Sequence, residues 1–297
     1  MASRKPLLHA SFNQENSCLA VATPAGFRIY SCESGACCYE DGIGAVAVAE
    51  MLFCTSLLAV VGAGEQPYLS PRRLSVLNTS NHTAIAHLTF PSSVLAVALN
   101  RARLVAVLAR CAVVHDLNTL EAVHTAETPH NPSGLHAFSP SPENCYLALP
   151  GSEKTGAAVV HDCASLSVLC EIAAHRSPLA ALAFSSDGLM LATASEKGTV
   201  IRVHVLPSAA KAFTFRRGIN SATVRSLSFG PPSAGPPLLC AASETGAVHV
   251  FRLEPPPRRG VLQAAGGLLA ALVPRALTGA AADAVDSERA GLVVRLA

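Results

Sequence analysis

The stretch FSSDGLMLATASEKGTVIRVHVL, residues 184–206, opens on a phenylalanine followed by the turn-forming cluster SSDG. A run of small and apolar residues comes next, then a second turn, SEKG, and a third segment of β-branched character. Short apolar runs bounded by Gly, Ser and Asp clusters signal strand–turn–strand units. FGPPSAGPPLLCAASETGAVHVFRL, residues 229–253, has the same grammar. Gly198 and Gly246 hold the same place in the second turn. A positive φ costs least there for a residue without a Cβ.

The unit recurs upstream, starting at Phe12, Leu52, Leu99 and Phe138, ahead of the copies at Phe184 and Phe229. The starts are roughly 40 to 47 residues apart, the period of β-propeller blades of the WD-repeat kind. A β-sandwich also uses short strands but does not repeat on this period. An all-β chain forming a single propeller domain over residues 1–297 is therefore expected. The repeat also bears on IGAVAVAEMLFCTSLLAVVGAG, 43–64, which is long enough to imitate a membrane span. Glu50 interrupts it, and Val and Ala recur at every second residue, so two strands joined by a turn are expected.

Half of the residues are hydrophobic, 14% are charged, and the formal net charge is +2. That balance supplies no broad basic field and disfavours nucleic acid as a partner. Anion recognition has to come from a local cluster. The ten cysteines are scattered without a CxxC pair, which argues against a zinc site. MASRKPLLHASFNQ lacks the apolar core of a signal peptide, so reduced thiols and a cytosolic chain are expected. His115–Asp116 and His161–Asp162 both read VVHD and invite acid–base or metal chemistry. They lie one repeat apart, so a role in blade structure is the simpler reading. No HExxH, GxSxG, P-loop or helix-opening GxGxxG occurs, and no catalytic residue, cofactor or metal site is assigned.

AHRSPLAALAFSSDGLMLATASEKGTVIRV, followed by FRRG at 215–218, resembles the PROPPINs, seven-bladed propellers that bind phosphoinositides. The resemblance runs through GAGEQPYLSPRRLSVLNT, LTFPSSVLAVALNRARLVAVL and YLALPGS, covers about residues 7–253, and is to the family's autophagy branch. It implies recognition of phosphatidylinositol 3-phosphate and the 3,5-bisphosphate. It also implies a cytosolic monomer recruited peripherally to phagophore, endosomal or vacuolar membranes during autophagosome formation. There it would act as a scaffold for autophagy proteins, among them the lipid-transfer protein of that pathway.

Successive side chains of a strand point to opposite sides, so Arg216 and Arg217 are expected to serve different pockets. The resemblance assigns Thr193, Gly198, Thr199, Arg202 and Arg216 to the first headgroup pocket. It assigns Arg217, Gly218, Ser243 and His249 to the second. Guanidinium forks suit phosphate oxygens, hydroxyls add donors, and glycines permit close approach. Ala247 stands where the family pattern has a hydroxyl residue, which removes a donor at a cost of about 0.5–1.5 kcal/mol. An intact first pocket and a weakened second one are expected. Each pocket alone is weak, since two unit charges 4 Å apart at a wet surface gain only about 1 kcal/mol. Two pockets on one membrane raise avidity by about 10² to 10⁴. Protonation of His249 is expected to strengthen phosphate binding.

VLQAAGGLLAALVPRAL, 261–277, matches the place of a sixth-blade loop that inserts into membranes in the family. The expected loop spans 254–291, with Leu262, Leu269, Leu272 and Val273 as its apolar face. Gly266, Gly267 and Pro274 weaken a helix there, and a disordered Ala-rich loop is the other reading. The second-blade turn LSPRRL, with Pro71, Arg72 and Arg73, matches a partner-facing side of the family's propeller; an ordinary polar turn is the other reading. SERAGLVVRLA, at 287–297, reads as the outer strand of blade six. A seventh blade needs about 40 more residues, so a truncated propeller of about six blades is expected. The alternative to a lipid effector is a propeller that scaffolds proteins only.

Overall fold

A computed structural model describes residues 6–231 and 237–254 and the backbone of Glu288–Arg289 and Leu292–Arg295. Blade one holds β1 (His9–Phe12), β2 (Cys18–Thr23), β3 (Gly26–Ser31) and β4 (Cys37–Asp41). Blade two holds β5 (Val46–Met51), β6 (Leu57–Gly62), β7 (Arg73–Asn78) and β8 (Thr83–Thr89). Blade three holds β9 (Ala96–Leu99), β10 (Arg103–Val107), β11 (Cys111–Asp116) and β12 (Ala122–Glu127). Blade four holds β13 (Ala137–Phe138), β14 (Tyr146–Pro150), β15 (Gly156–Asp162) and β16 (Ser167–His175). Blade five holds β17 (Leu179–Phe184), β18 (Met190–Ser195), β19 (Val200–Val205) and β20 (Ala210–Arg216). Blade six holds β21 (Val224–Phe229), β22 (Leu238–Ser243) and β23 (Ala247–Arg252). Of two later strands, β24 (Glu288–Arg289) adds a fifth strand to blade five and β25 (Leu292–Arg295) gives blade six its fourth.

Each blade is an antiparallel meander in chain order, and the first strands touch in turn (β1 with β5, β5 with β9, β13 with β17, β17 with β21). They form the inner ring of a β-propeller. β25 pairs antiparallel with β23, so SERAGLVVRLA does supply the outer strand of blade six. β24 adds a short parallel strand beside β20. The 43–64 segment forms β5 and β6 joined by a turn, and no helix among the described residues is long and apolar enough to cross a membrane. The repeat starts at Phe12, Phe138, Phe184 and Phe229 fall on the last residues of first strands. The inner strand of each blade thus lies upstream of the repeat as framed from the sequence.

The core consists of apolar clusters at the junctions between consecutive blades. Leu104 and Ala106 of β10 pack toward blade two, while their neighbours Val105 and Val107 pack toward blade four. Both faces of a middle strand are therefore buried, which explains the runs of Val, Leu and Ala without polar alternation. Alanines such as Ala192, Ala194 and Ala241 let blades five and six approach closely. Phe215 and Phe251 stack across that junction with ring centroids 4.7 Å apart.

The two VVHD motifs occupy one blade position. His115 lies opposite Leu104, His161 opposite Leu147 and His204 opposite Leu191. In all three a β-bulge precedes the histidine on its outer side. Burial lowers the pKa of each imidazole. The Nδ1 atoms have no hydrogen-bond partner among the described residues, and no set of metal-ligating groups occurs among them. Neutral packing histidines at a repeated rung are the physical content of the motif.

Candidate functional site

Blade five carries three of the residues expected in the first pocket, Thr193, Arg202 and Arg216, on one face. Thr193 of β18 lies opposite Arg202 of β19, and Arg202 lies opposite Thr214 of β20. Directly opposed residues share a face, and Arg216, two residues beyond Thr214, shares it too. Leu191, two residues before Thr193, packs in the cluster between blades four and five. This face therefore looks toward blade four. Phe215, between Thr214 and Arg216, points the other way and packs in the cluster between blades five and six. Phe215 and Arg216 thus alternate across β20, and Arg217 follows the end of the strand.

His175, the last residue of β16 in blade four, was not singled out from the sequence, yet it ties this face together. Its Nε2 lies 2.9 Å from Thr193 Oγ1 and 3.1 Å from the Thr193 carbonyl oxygen. Arg202 Nη1 donates to the Ala174 carbonyl and stands 3.3 Å from His175 Nδ1. A neutral imidazole protonated at Nε2 satisfies all of these contacts, donating to Thr193 and accepting from Arg202. Burial, then the neighbouring Arg202 cation, lowers its pKa to about 4. The only signal in the sequence was the AH dipeptide ahead of the repeat. What makes it matter is contact between blades, which spacing within one blade does not reveal.

Outward from this rung lies a groove of about 500 Å³ between blades four and five. His175, Arg176, Arg202, His204 and Lys211 line it, with Glu171 as its acidic member. Arg216 is exposed at the end of β20. Gly198 is buried in the turn between β18 and β19, with φ +58°, and a Cβ there would stand 1.9 Å from the Ala222 carbonyl oxygen. The turn needs glycine both for its backbone angle and for its contact with the chain entering blade six. Thr199 is half-buried beside it.

Arg217 reaches the other way. Its backbone N–H donates to the Thr199 carbonyl at 2.9 Å. Its guanidinium folds over the same turn, with Nε donating to the Gly198 carbonyl and Nη2 to the Asn220 carbonyl at 2.6 Å. Burial lowers its pKa, and Glu244 of blade six opposes that shift. Gly198 and Thr199, expected in the first pocket, thus present their carbonyls to an arginine of the second. Gly218 follows, with nothing within 4 Å of the place a Cβ would take.

In blade six, His249 of β23 lies opposite Ala241 of β22, and Ser243 shares their face. Ala241 and Phe251 belong to the cluster toward blade five, so this face meets Arg217. Burial, then Arg217, lowers the pKa of His249. Ser243 Oγ donates to the Ala247 carbonyl at 3.1 Å and lies 2.9 Å from Thr245 Oγ1. Ala247 itself is buried. The turn hydroxyls of blade six are therefore Ser243 and Thr245, and the counterpart of Thr193 on the His249 rung is Ala241.

The two blade junctions are built alike with their parts exchanged. Between blades four and five, the outer strand of the earlier blade supplies a histidine, His175, and the third strand of the later one an arginine, Arg202. Between blades five and six, the earlier blade supplies Arg217 and the later one His249.

The second-blade turn lies elsewhere on the ring. The Pro71 carbonyl accepts from Val94 N–H at 2.8 Å and the Arg72 carbonyl from Phe90 N–H at 2.9 Å. These bonds tie the turn to the link between blades two and three and leave the Arg72 side chain exposed. Arg73 lines a groove of about 380 Å³ with Tyr39, Tyr68 and His82. Leu262, Leu269, Leu272 and Val273 lie outside the described residues.

The family profile that matches the chain is PROPPIN, over residues 7–259. Autophagy-related protein 18b of Arabidopsis thaliana is 48% identical over 249 residues, covering 84% of this chain and 68% of its own length. Autophagy-related protein 18 of Yarrowia lipolytica is 42% identical over 265 residues, covering 82% and 66%. The chain thus spans about two thirds of the length of these relatives. Among solved structures, Kluyveromyces lactis Hsv2p superposes with a TM-score of 0.76 at 20% identity, covering 98% of this chain and 83% of its own. KlAtg21, in its complex with the coiled-coil of AgAtg16, superposes with a TM-score of 0.72 at 27% identity, covering 83% and 80%. The six-bladed meander and the SEKGTVIR–FRRG constellation on blade five are thus those of a known line of propellers, and the chain belongs to the PROPPIN family.

Proposed function

We propose that this protein is a phosphoinositide-binding peripheral membrane effector in autophagy, recognising phosphatidylinositol 3-phosphate and the 3,5-bisphosphate through two grooves one blade apart. The observation that carries the reading is the split of Arg216 and Arg217. Arg216 shares a face of blade five with Thr193 and Arg202, and Arg217 reaches toward Glu244 and His249 of blade six. Each groove combines a guanidinium with hydroxyl and imidazole donors, a set suited to phosphate oxygens. Neighbouring weak sites on one rim favour a membrane carrying many headgroups over a single soluble ligand. The relatives' names place them in autophagy, and that role is carried to this chain.

The proposal includes a scaffold role. The Pro71–Arg73 turn lies away from blades five and six, so a protein partner bound there leaves the lipid grooves open. The propeller solved with a coiled-coil supports protein recruitment as a property of this architecture. The lipid reading is tested by titrating inositol 1,3-bisphosphate into the protein by calorimetry. Binding that weakens in Arg202→Ala supports the first groove, and no heat of binding at any concentration reached rejects lipid recognition by either groove.

A further inference from the structure

Ile219 is the most exposed of the large apolar side chains among the described residues, at 82%, against 62% for Leu7. It lies in the link from β20 to β21, two residues after Arg217. Its loop is held in place on both sides. Before it, Arg217 Nη2 donates to the Asn220 carbonyl. After it, Ser221 Oγ and Ala222 N–H both donate to the Lys197 carbonyl. The Thr223 N–H donates to Glu244 Oε1 in blade six. A loop bonded to turns of blades five and six nevertheless presents an isoleucine to solvent. The exposed side chains of Lys197 and Arg216 stand in the same region.

A single exposed apolar residue is ordinary on a protein surface. Its position distinguishes this one: a braced tip that follows Arg216 and Arg217 and is bonded to the turns of blades five and six. An apolar tip flanked by cations is the arrangement of an interfacial membrane anchor, with cations at anionic headgroups and the apolar group at the acyl boundary. We propose that Ile219 is a membrane anchor, entering the acyl boundary of a phosphoinositide-containing bilayer when Arg216 and Arg217 engage headgroups on either side. This rests on the lipid reading of the two grooves. Burial of an isoleucine corresponds to at least about a ten-fold gain in affinity. Because the loop is already braced, little ordering cost offsets that gain.

The chain contains no tryptophan, so Ile219→Trp places a single indole at the tip. With phosphatidylcholine vesicles containing phosphatidylinositol 3-phosphate, its emission is expected to shift to the blue and to be quenched by acyl-chain bromine labels. Ile219→Ser is expected to bind these vesicles about ten-fold more weakly while binding inositol 1,3-bisphosphate as the wild type does, and Ile219→Leu should retain vesicle binding. Unshifted emission on vesicle-bound protein, or undiminished vesicle binding by Ile219→Ser, overturns the anchor and leaves the lipid reading standing. The second outcome would assign the exposed tip to a protein contact. A wild type that binds neither soluble headgroup nor vesicles overturns both.

Discussion

Arg202 and His249 stand on the same rung of successive blades: Arg202 lies opposite Thr193, and His249 lies opposite Ala241. The first groove thus pairs a permanent cation with a hydroxyl, where the second pairs a titrating imidazole with a methyl. Burial and Arg217 hold the His249 pKa below its ordinary value, so this ring is neutral at pH 7. A bound phosphate favours the protonated ring, so affinity at the second groove should rise as pH falls. In an Arg216→Thr background, which leaves the second groove to act, vesicle binding should change little between pH 8 and 7 and increase from pH 6.5 to 5.5. His249→Gln should flatten that profile. Vesicle flotation across the pH series measures it, and a flat profile with His249 intact contradicts the assignment.

Gly198 makes the turn shared by both grooves. At φ +58°, with a Cβ meeting the Ala222 carbonyl at 1.9 Å, Gly198→Ala forces both backbone strain and a displaced chain. A loss of about 2–3 kcal/mol of stability is expected from strain of this kind. Urea unfolding measures it, and a change below about 0.5 kcal/mol would show that the turn yields without cost.

Glu50 of β5 carries a second pH signature, separate from lipid binding. Burial raises its pKa to about 8. Its contact with His9, 3.4 Å from Oε1 to Nε2, is accordingly a neutral pair at pH 7, because burial lowers the His9 pKa. The folded state holds a proton on Glu50 that the unfolded chain releases near pH 4.5. Its stabilising contribution is therefore complete below about pH 4.5 and lost as pH rises toward 8. Glu50→Gln removes that dependence. Relative to wild type, the variant should gain on the order of 2–4 kcal/mol between pH 5 and 8. His175 and His204, whose pKa values of about 4 make stability fall as pH drops below 6.5, are common to both proteins and cancel in the difference. Thermal unfolding of the two at pH 5, 6.5 and 8 gives the comparison, and a pH-independent gap contradicts it.

Most of the architecture was legible because each blade repeats one pattern: a turn, a doubly buried second strand and, in every blade but the third, a glycine turn before the third strand. The 43–64 segment yielded to the same logic, since Glu50 sits on an inner strand and not in a lipid-facing span. The first strands were harder to see. β13 has two residues and β9 four, too few to carry a period of their own, so they were absorbed into the preceding unit. The alternation of Phe215 and Arg216 followed from the strand pattern alone, with Arg217 lying just past the end of β20. His175 did not, since it enters the site from a neighbouring blade. Nor did the rung partners. Ala194 and Ile201 are opposed in blade five, Ala242 and Val248 in blade six, so the second turn is one residue shorter in blade six. That slip brings His249, and not Val250, into the place of Arg202, and puts Ala241 opposite it.

Arg216 and Arg217 are proposed to serve two grooves at one membrane. Co-sedimentation with vesicles containing phosphatidylinositol 3-phosphate, comparing wild type with Arg216→Thr/Arg217→Thr, tests this proposal most directly. The double variant should lose at least about 100-fold in apparent affinity, because both arms of a bivalent contact are removed together. Equal binding by the two proteins, with both folded, would contradict it.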